Sequence, residues 1–267
     1  MAGYAKKLTP RSADWNYGGP RWRLSRSKLE LFLDCQLCFY LDNKLGVARP
    51  RGPSFTLNIA VDALLKKEFD IHRAVGSTHP LMEAYGLSGV VPFKHELMGT
   101  WRENFEGIEY ADPDTGLVVS GAVDDVWKDA AGDLIVVDYK ATSKEGKIES
   151  LSDSSWEEQY RRQMEIYQWL LRRNGFSVSS TGYFVYVNGR TDKKAFDGKL
   201  EFDVTLIPMR GDDSWVHDAI VRAKACLDSG SLPPPSPTCE HCAYRKNARD
   251  VQVAASPARK PKPSVRN

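Results

Sequence analysis

The sequence contains no apolar run approaching the roughly 18 residues that a membrane-crossing helix requires, and its first residues lack the apolar core of about seven that marks a secretion signal. No membrane-crossing helix is expected, and a cytoplasmic protein is. Net charge is also small: 37 Lys and Arg against 35 Asp and Glu leave +2 at pH 7. Such a chain neither requires nor forbids a nucleic-acid partner, and any basic groove must be local. Histidine is scarce. His72, His79 and His95 stand at irregular intervals in loop-like sequence and match no ligand pattern, which points to surface or packing roles. Cysteine is scarce too, but four of the five form two Cys-x-x-Cys pairs, Cys35/Cys38 and Cys239/Cys242. Without an export signal, that pairing points to metal ligation before disulfides.

What is present is ordinary globular material, 267 residues with 42% apolar and 27% charged content, enough to bury a core in one large domain or two small ones. The chemistry concentrates between Gly121 and Lys140. A turn at Asp129 to Asp133 separates two Val/Ile-rich runs, which predicts a β-hairpin with Asp124 on one strand and Asp138 and Lys140 on its neighbour. Asp138 follows four apolar residues, Leu134 to Val137, typical of a strand buried on both faces. Side chains alternate along a strand, so Asp138 and Lys140 share a face. Two carboxylates with a lysine beside them can hold a hard divalent cation and set an ammonium next to it. Gly121 would let another group approach the backbone closely.

Around this stretch, the spacing predicts a helix from Ser27 through Leu41, carrying Cys35 and Cys38 on one face, and a second helix from Leu57 to Phe69 with Asp62 beside its apolar stripe. A short helix near Leu81 to Ala84, a helix at Leu97 to Asn104 and a first strand at Phe105 to Ala111 follow. Beyond Lys140, the polar run from Thr142 to Asp153 reads as a loop at the mouth of the site, where Lys144 and Lys147 could meet a phosphate backbone. The helix from Trp156 to Arg173 buries Met164, Tyr167, Leu170 and Leu171, with Gln163 and Tyr167 one turn apart; a Gln against an apolar face needs a polar partner. Arg161 and Arg162 flank it, suited either to tracking DNA or to a plain charged surface. Thr181 to Asn188 reads as a buried strand, Leu200 to Pro208 as an edge strand closed by its proline, and Trp215 to Leu227 as a helix with Cys226 in the core. The expected organisation is an irregular arm over 1–26, a domain over 27–250 and a disordered basic tail over 251–267.

Gly121-x-x-Asp124, Asp138-x-Lys140 and Gln163-x-x-x-Tyr167, in this order and spacing, resemble the motifs of the PD-(D/E)XK nuclease superfamily in its RecB-type exonuclease branch, over about half the chain. The resemblance implies a restriction-endonuclease-like α/β core, a central mixed sheet flanked by helices. It further implies a nuclease in which Asp124 and Asp138 bind Mg²⁺ or Mn²⁺, Lys140 orients the attacking water, and Gln163 and Tyr167 contact DNA. A Gly-x-x-x-His motif of RecB-type and CRISPR-adaptation nucleases aligns with Asn58 to Asp62, so Asp62 becomes a further candidate ligand, although both motif positions differ. Several relatives clasp the C-terminus to an early helix through cysteines around an iron-sulfur cluster. Cys35, Cys38, Cys239 and Cys242 would do so here, with Ala248 where those relatives carry a last cysteine. Four thiolates suit a 4Fe-4S cluster or Zn²⁺ equally in number. The implied partners are DNA and other repair or defence proteins, with no membrane. Two other readings stay open: a nucleic-acid-binding or assembly protein that kept the fold without turnover, and a redox or zinc sensor centred on the cysteines.

Overall fold

The computed structural model describes residues 11–255 apart from 51, 53, 54 and 153. A short 3-10 turn at Ala13–Trp15 leads to β1 (Leu24–Ser25), α1 (Arg26–Asp34), α2 (Gln36–Asn43), α3 (Thr56–Val75) and α4 (Pro80–Ala84). Next come β2 (Val91–Pro92), α5 (Met98–Trp101), β3 (Ile108–Ala111), β4 (Val118–Gly121), β5 (Asp125–Lys128) and β6 (Leu134–Thr142). The chain continues through α6 (Ser155–Arg173), β7 (Thr181–Gly189), β8 (Phe202–Arg210), α7 (Val216–Asp228) and α8 (Glu240–Ala255).

The strands form the expected mixed α/β architecture, flanked by helices, in two sheets: five strands in the order β2-β5-β6-β7-β8 and three in the order β1-β4-β3. The middle pair of the large sheet, β6 and β7, runs parallel. Parallel neighbours need a long crossover, which α6 supplies. Because β6 lies in the centre, both of its faces are covered. Val136 packs with Met164, Leu170 and Phe184 on one side, while Val137 packs with Phe69, Trp127 and Val185 on the other. The unbroken apolar run before Asp138 is the sequence consequence of this two-sided burial.

The path between the sheets places the site. The chain leaves the small sheet at Gly121 and enters the large one at Asp125, so Asp124 sits in the connection immediately before β5 and not within a strand. Gly121 lets α6 close on this crossing, because a Cβ there would lie 2.8 Å from the Tyr167 ring and 3.0 Å from Leu170. Arg162 braces the same helix from outside, gripping Glu30 of α1 with both prongs at 2.7 and 3.1 Å.

Several boundaries differ from the pattern in the sequence. The first helix is capped by Ser25, whose hydroxyl accepts from Lys28 N–H, and breaks at Cys35, which is extended (φ −158°) and divides α1 from α2. The segment before it is tied to the body: Trp22 and Leu24 are buried, and β1 pairs with β4. Pro208 lies inside β8 opposite Tyr183 instead of closing the strand, which an edge position permits. The tail expected from residue 251 begins as helix, since α8 reaches Ala255 without a glycine or proline to stop it; residues 256–267 lie outside those described. Among the described residues no helix is long and apolar enough to cross a membrane.

Closing α6 on the sheet crossing requires that position 121 carry no side chain. Gly121→Ala is expected to destabilise the fold by roughly 1–3 kcal/mol through overpacking against Tyr167 and Leu170, read as a lower denaturation midpoint at unchanged slope in urea.

Candidate active site

The β5–β6 hairpin is held at its tip by Asp129, whose Oδ1 accepts from the N–H groups of Ala131 and Asp133, both at 2.9 Å. Its register sets Asp125 opposite Val137, which brings the residue before β5 beside Asp138. Asp124 Oδ2 accepts from the Tyr139 N–H at 2.8 Å, so the backbone of β6 fixes this carboxylate next to the one on Asp138.

Asp138 is fully buried. Lys140, two residues on and therefore on the same face, brings Nζ to 2.5 Å from Asp138 Oδ2. From α6, Gln163 donates through Nε2 to Asp138 Oδ1 at 2.7 Å and accepts from Lys140 Nζ at 3.1 Å. The Tyr167 hydroxyl lies 3.2 Å from the same Nε2, and the Tyr160 ring lies under Lys140 Nζ, 4.3 Å from its centroid. The structure thus joins Asp124, Asp138, Lys140, Gln163 and Tyr167, drawn from three segments of the sequence. Gln163 has the polar partners that its place on an apolar face demands.

Asp62 reaches this group through a lysine. Lys66 Nζ is 2.9 Å from Asp62 Oδ2 and 3.9 Å from Asp124 Oδ1. Asn58 does not face the carboxylates; it donates to the Ala141 carbonyl at 2.7 Å and ties α3 to the end of β6. Sequence reasoning missed Lys66, which looks like any i, i+4 partner on a helix, and also Arg26 at the start of α1. Burial works against the Arg26 charge, but the Tyr167 hydroxyl and the Asp138 carboxylate more than offset it.

Two carboxylates share a confined space here. Burial and the neighbouring Asp138 push the Asp124 carboxyl up to about 7, against the opposing pull of Lys140, Lys66 and the Tyr139 N–H. Burial also opposes the charge on Lys140, yet Asp138 and Asp124 raise its pKa, so it remains an ammonium. Despite that contact, Asp138 Oδ2 receives no hydrogen bond of good geometry in its buried position. A buried oxygen of this kind, with a second carboxylate alongside, is the donor set that a hard divalent cation takes.

Asp125, which the sequence reading passed over, points the other way. It is fully buried between Arg73, Arg102 at 2.9 Å and the Tyr139 hydroxyl at 2.9 Å. The chain enters β5 between the two residues, which leaves Asp124 at the site and sends Asp125 into a brace beneath α3.

The basic residues expected to meet nucleic acid all have protein partners. Lys144 pairs with Glu157 at 2.9 Å and Lys147 with Glu149 at 3.0 Å. Arg161 donates to the Ser152 carbonyl at 3.0 Å, and Arg162 is held by Glu30. A cleft of about 450 Å³ lies past Lys140, lined by Ala141, Leu57, Val61, Leu200, Phe202 and by Tyr160, whose ring lies under Lys140 Nζ; the carboxylates themselves do not line it.

Away from this site, Cys35, Cys38, Cys239 and Cys242 are buried together, unpaired by any disulfide. Their grouping joins α1 and α2 to the start of α8. Cys226 stands apart on α7. Asp112, Asp114 and His217 form a further polar group where the β3–β4 turn meets α7, with His217 Nε2 3.4 and 3.2 Å from the two carboxylates.

With this geometry established, comparison with known families finds that the model of the PD-(D/E)XK nuclease superfamily matches residues 81–247. No curated protein matches the chain.

The crowding of Asp124 and Asp138 is measurable without metal. In metal-free protein the Asp124 carboxyl carbon is expected to titrate near pH 7 by NMR and to move down in Asp138→Asn; titration in the ordinary carboxylate range would contradict the arrangement. Since a raised carboxyl pKa favours the protonated folded state, this group's contribution to stability is present at low pH and is lost as pH rises from the ordinary carboxylate range through about 7.

Proposed function

The chain belongs to the PD-(D/E)XK nuclease superfamily, and from that membership we propose that it is a divalent-metal-dependent deoxyribonuclease whose centre is Asp124, Asp138 and Lys140. The observation that carries this reading is the buried Asp138 Oδ2, lacking a well-formed hydrogen bond, with Asp124 on one side and an ammonium on the other. Asp124 and Asp138 would hold Mg²⁺ or Mn²⁺, with Asp62 as a further ligand once released from Lys66. When bound, such an ion supplies Lewis acidity toward a phosphoryl oxygen and acidifies water.

The side chains do the remaining work. Lys140, kept charged by its neighbours, orients the attacking water and holds positive charge where the phosphate gains negative charge. Gln163 fixes both Asp138 and Lys140, so that the pair presents one geometry to the substrate, and Tyr167 steadies Gln163. Lys66 stands ready to exchange its carboxylate contacts for a phosphate. The adjoining cleft supports action on single strands or DNA ends, as in the RecB-type exonuclease branch. Tyr160 and Phe202 offer ring faces to unstacked bases, and Lys144 and Lys147, which line a separate pocket with Asn188 and Arg190, can trade Glu157 and Glu149 for the backbone. Arg161 and Arg162 would follow the strand further along α6. Such a protein would work in the cytoplasm, in repair, recombination or defence.

One observation favours a second reading, in which the fold binds nucleic acid without cutting it: Lys66 already supplies positive charge between Asp62 and Asp124. Incubation with end-labelled single- and double-stranded DNA separates the two. Degradation is expected with Mg²⁺ or Mn²⁺ and not with EDTA, falling about 100-fold or more in Asp138→Ala and Lys140→Ala. Full activity in both variants would place the chemistry elsewhere, and binding without degradation would select the second reading.

The proton on Asp124 adds a pH signature. Because a carboxylate must lose its proton to bind metal, Mn²⁺ affinity measured by calorimetry is expected to strengthen between about pH 6 and pH 8, with proton uptake by the buffer; an affinity flat across that range would argue against Asp124 as ligand.

A further inference from the structure

The four buried cysteines define a cage whose size can be compared with its candidate occupants. Cys35 Sγ lies 3.8 Å from Cys242 Sγ, Cys38 Sγ lies 3.7 Å from Cys239 Sγ, and Cys38 Sγ lies 3.6 Å from Cys242 Sγ. All four sulfurs fall within 4.8 Å of one another. In a cubane iron-sulfur cluster each thiolate binds a different iron at a corner, so the cysteine sulfurs stand on the order of 6 Å apart. A two-iron cluster keeps two close pairs but separates them by a similar distance. Neither fits a cage in which every sulfur is near every other. A single tetrahedral ion with metal-sulfur bonds of about 2.3 Å sets its sulfurs about 3.8 Å apart, which matches these three separations.

We propose that Cys35, Cys38, Cys239 and Cys242 bind one Zn²⁺ ion and no iron-sulfur cluster. The surroundings suit a closed structural site. All four positions are thiolates from the chain itself, which leaves no open coordination position, and the cage is packed against Leu31, Leu37 and Leu41. Four thiolates around a divalent ion leave excess negative charge, and the protein supplies donors for it. The Arg49 guanidinium donates to Cys239 Sγ at 3.2 Å and is itself held by Asp34 at 2.6 Å, while the Ser236 N–H donates to Cys35 Sγ at 3.5 Å. The break between α1 and α2 has its explanation here, because the extended backbone at Cys35 lets its sulfur and that of Cys38 approach Cys239 and Cys242 together. The inference is independent of the nuclease reading and would survive its failure.

The test is elemental analysis of the whole wild-type chain, produced with both iron and zinc in the medium and kept anaerobic. About one zinc per chain is expected, with no labile sulfide, no visible absorbance, and tetrahedral cobalt-thiolate bands after exchange with Co²⁺. Thiol titration should find Cys226 as the one reactive cysteine of the native protein and all five after unfolding with a chelator. Iron with sulfide and absorbance near 400 nm overturns the proposal, as does a single iron without sulfide, or metal-free protein with five titratable thiols in the native state. Arg49→Ala, which removes no ligand, is expected to speed zinc loss to a chelator several-fold; an unchanged rate would contradict the role given to that side chain.

Discussion

A charged carboxylate with no exposure to solvent governs this molecule. Asp138 ends the apolar run of the central strand, where water cannot reach it and an isolated charge would be prohibitively costly. Its charge is tolerated because Lys140 stands on the same face of β6 and Gln163 reaches across from α6. A buried pair of this kind contributes little net stability, but removing one partner typically costs about 3–5 kcal/mol. The surrounding architecture serves this juxtaposition. The parallel β6–β7 pair demands a crossover, the crossover is α6, and the absence of a side chain at Gly121 lets that helix descend far enough for Gln163 to make its contacts.

The same constraint explains why one buried oxygen is left without a well-directed partner. A second carboxylate, Asp124, is pinned by a backbone N–H beside the first, and the two ammonium groups of Lys140 and Lys66 balance them without giving Asp138 Oδ2 a well-directed hydrogen bond. Proteins rarely leave a buried polar atom in that condition without a use for it. The cysteine cage stands apart from this electrostatics, bringing the first helices against the last across some two hundred residues of sequence. One centre gathers buried charge; the other joins the two ends of the fold.

Much of this could be read from local pattern. The hairpin, the long α6 with Gln163 and Tyr167 a turn apart, and the alternation that sets Asp138 and Lys140 on one face all follow from periodicity within about ten residues. The features that escaped depend on contacts between distant segments. The separation into two sheets is decided by β1 pairing with β4 across nearly a hundred residues, and a two-residue strand carries no period of its own. Lys66 and Arg26 resemble ordinary helix-surface cations until tertiary packing turns them toward the carboxylates. Asp124 was legible through its spacing from Gly121, but the brace that Asp125 forms with Arg73, Arg102 and Tyr139 depends on partners far away in the sequence. The break at Cys35 was hidden because apolar spacing continues through it with helical period, while the reason for the break lies at the other end of the chain.

The central claim is that Asp124 and Asp138 form one cation site with Lys140 beside it. Diffraction from crystals soaked in Mn²⁺, recorded to capture its anomalous signal, tests this most directly. The account predicts a peak bonded to an oxygen of each carboxylate, at about 2.2 Å as expected for an oxygen-ligated ion, with Lys66 drawn away and Lys140 retained. Lysine contacts left intact with no anomalous density between the two carboxylates, at saturating Mn²⁺ and a pH above 7, would contradict it.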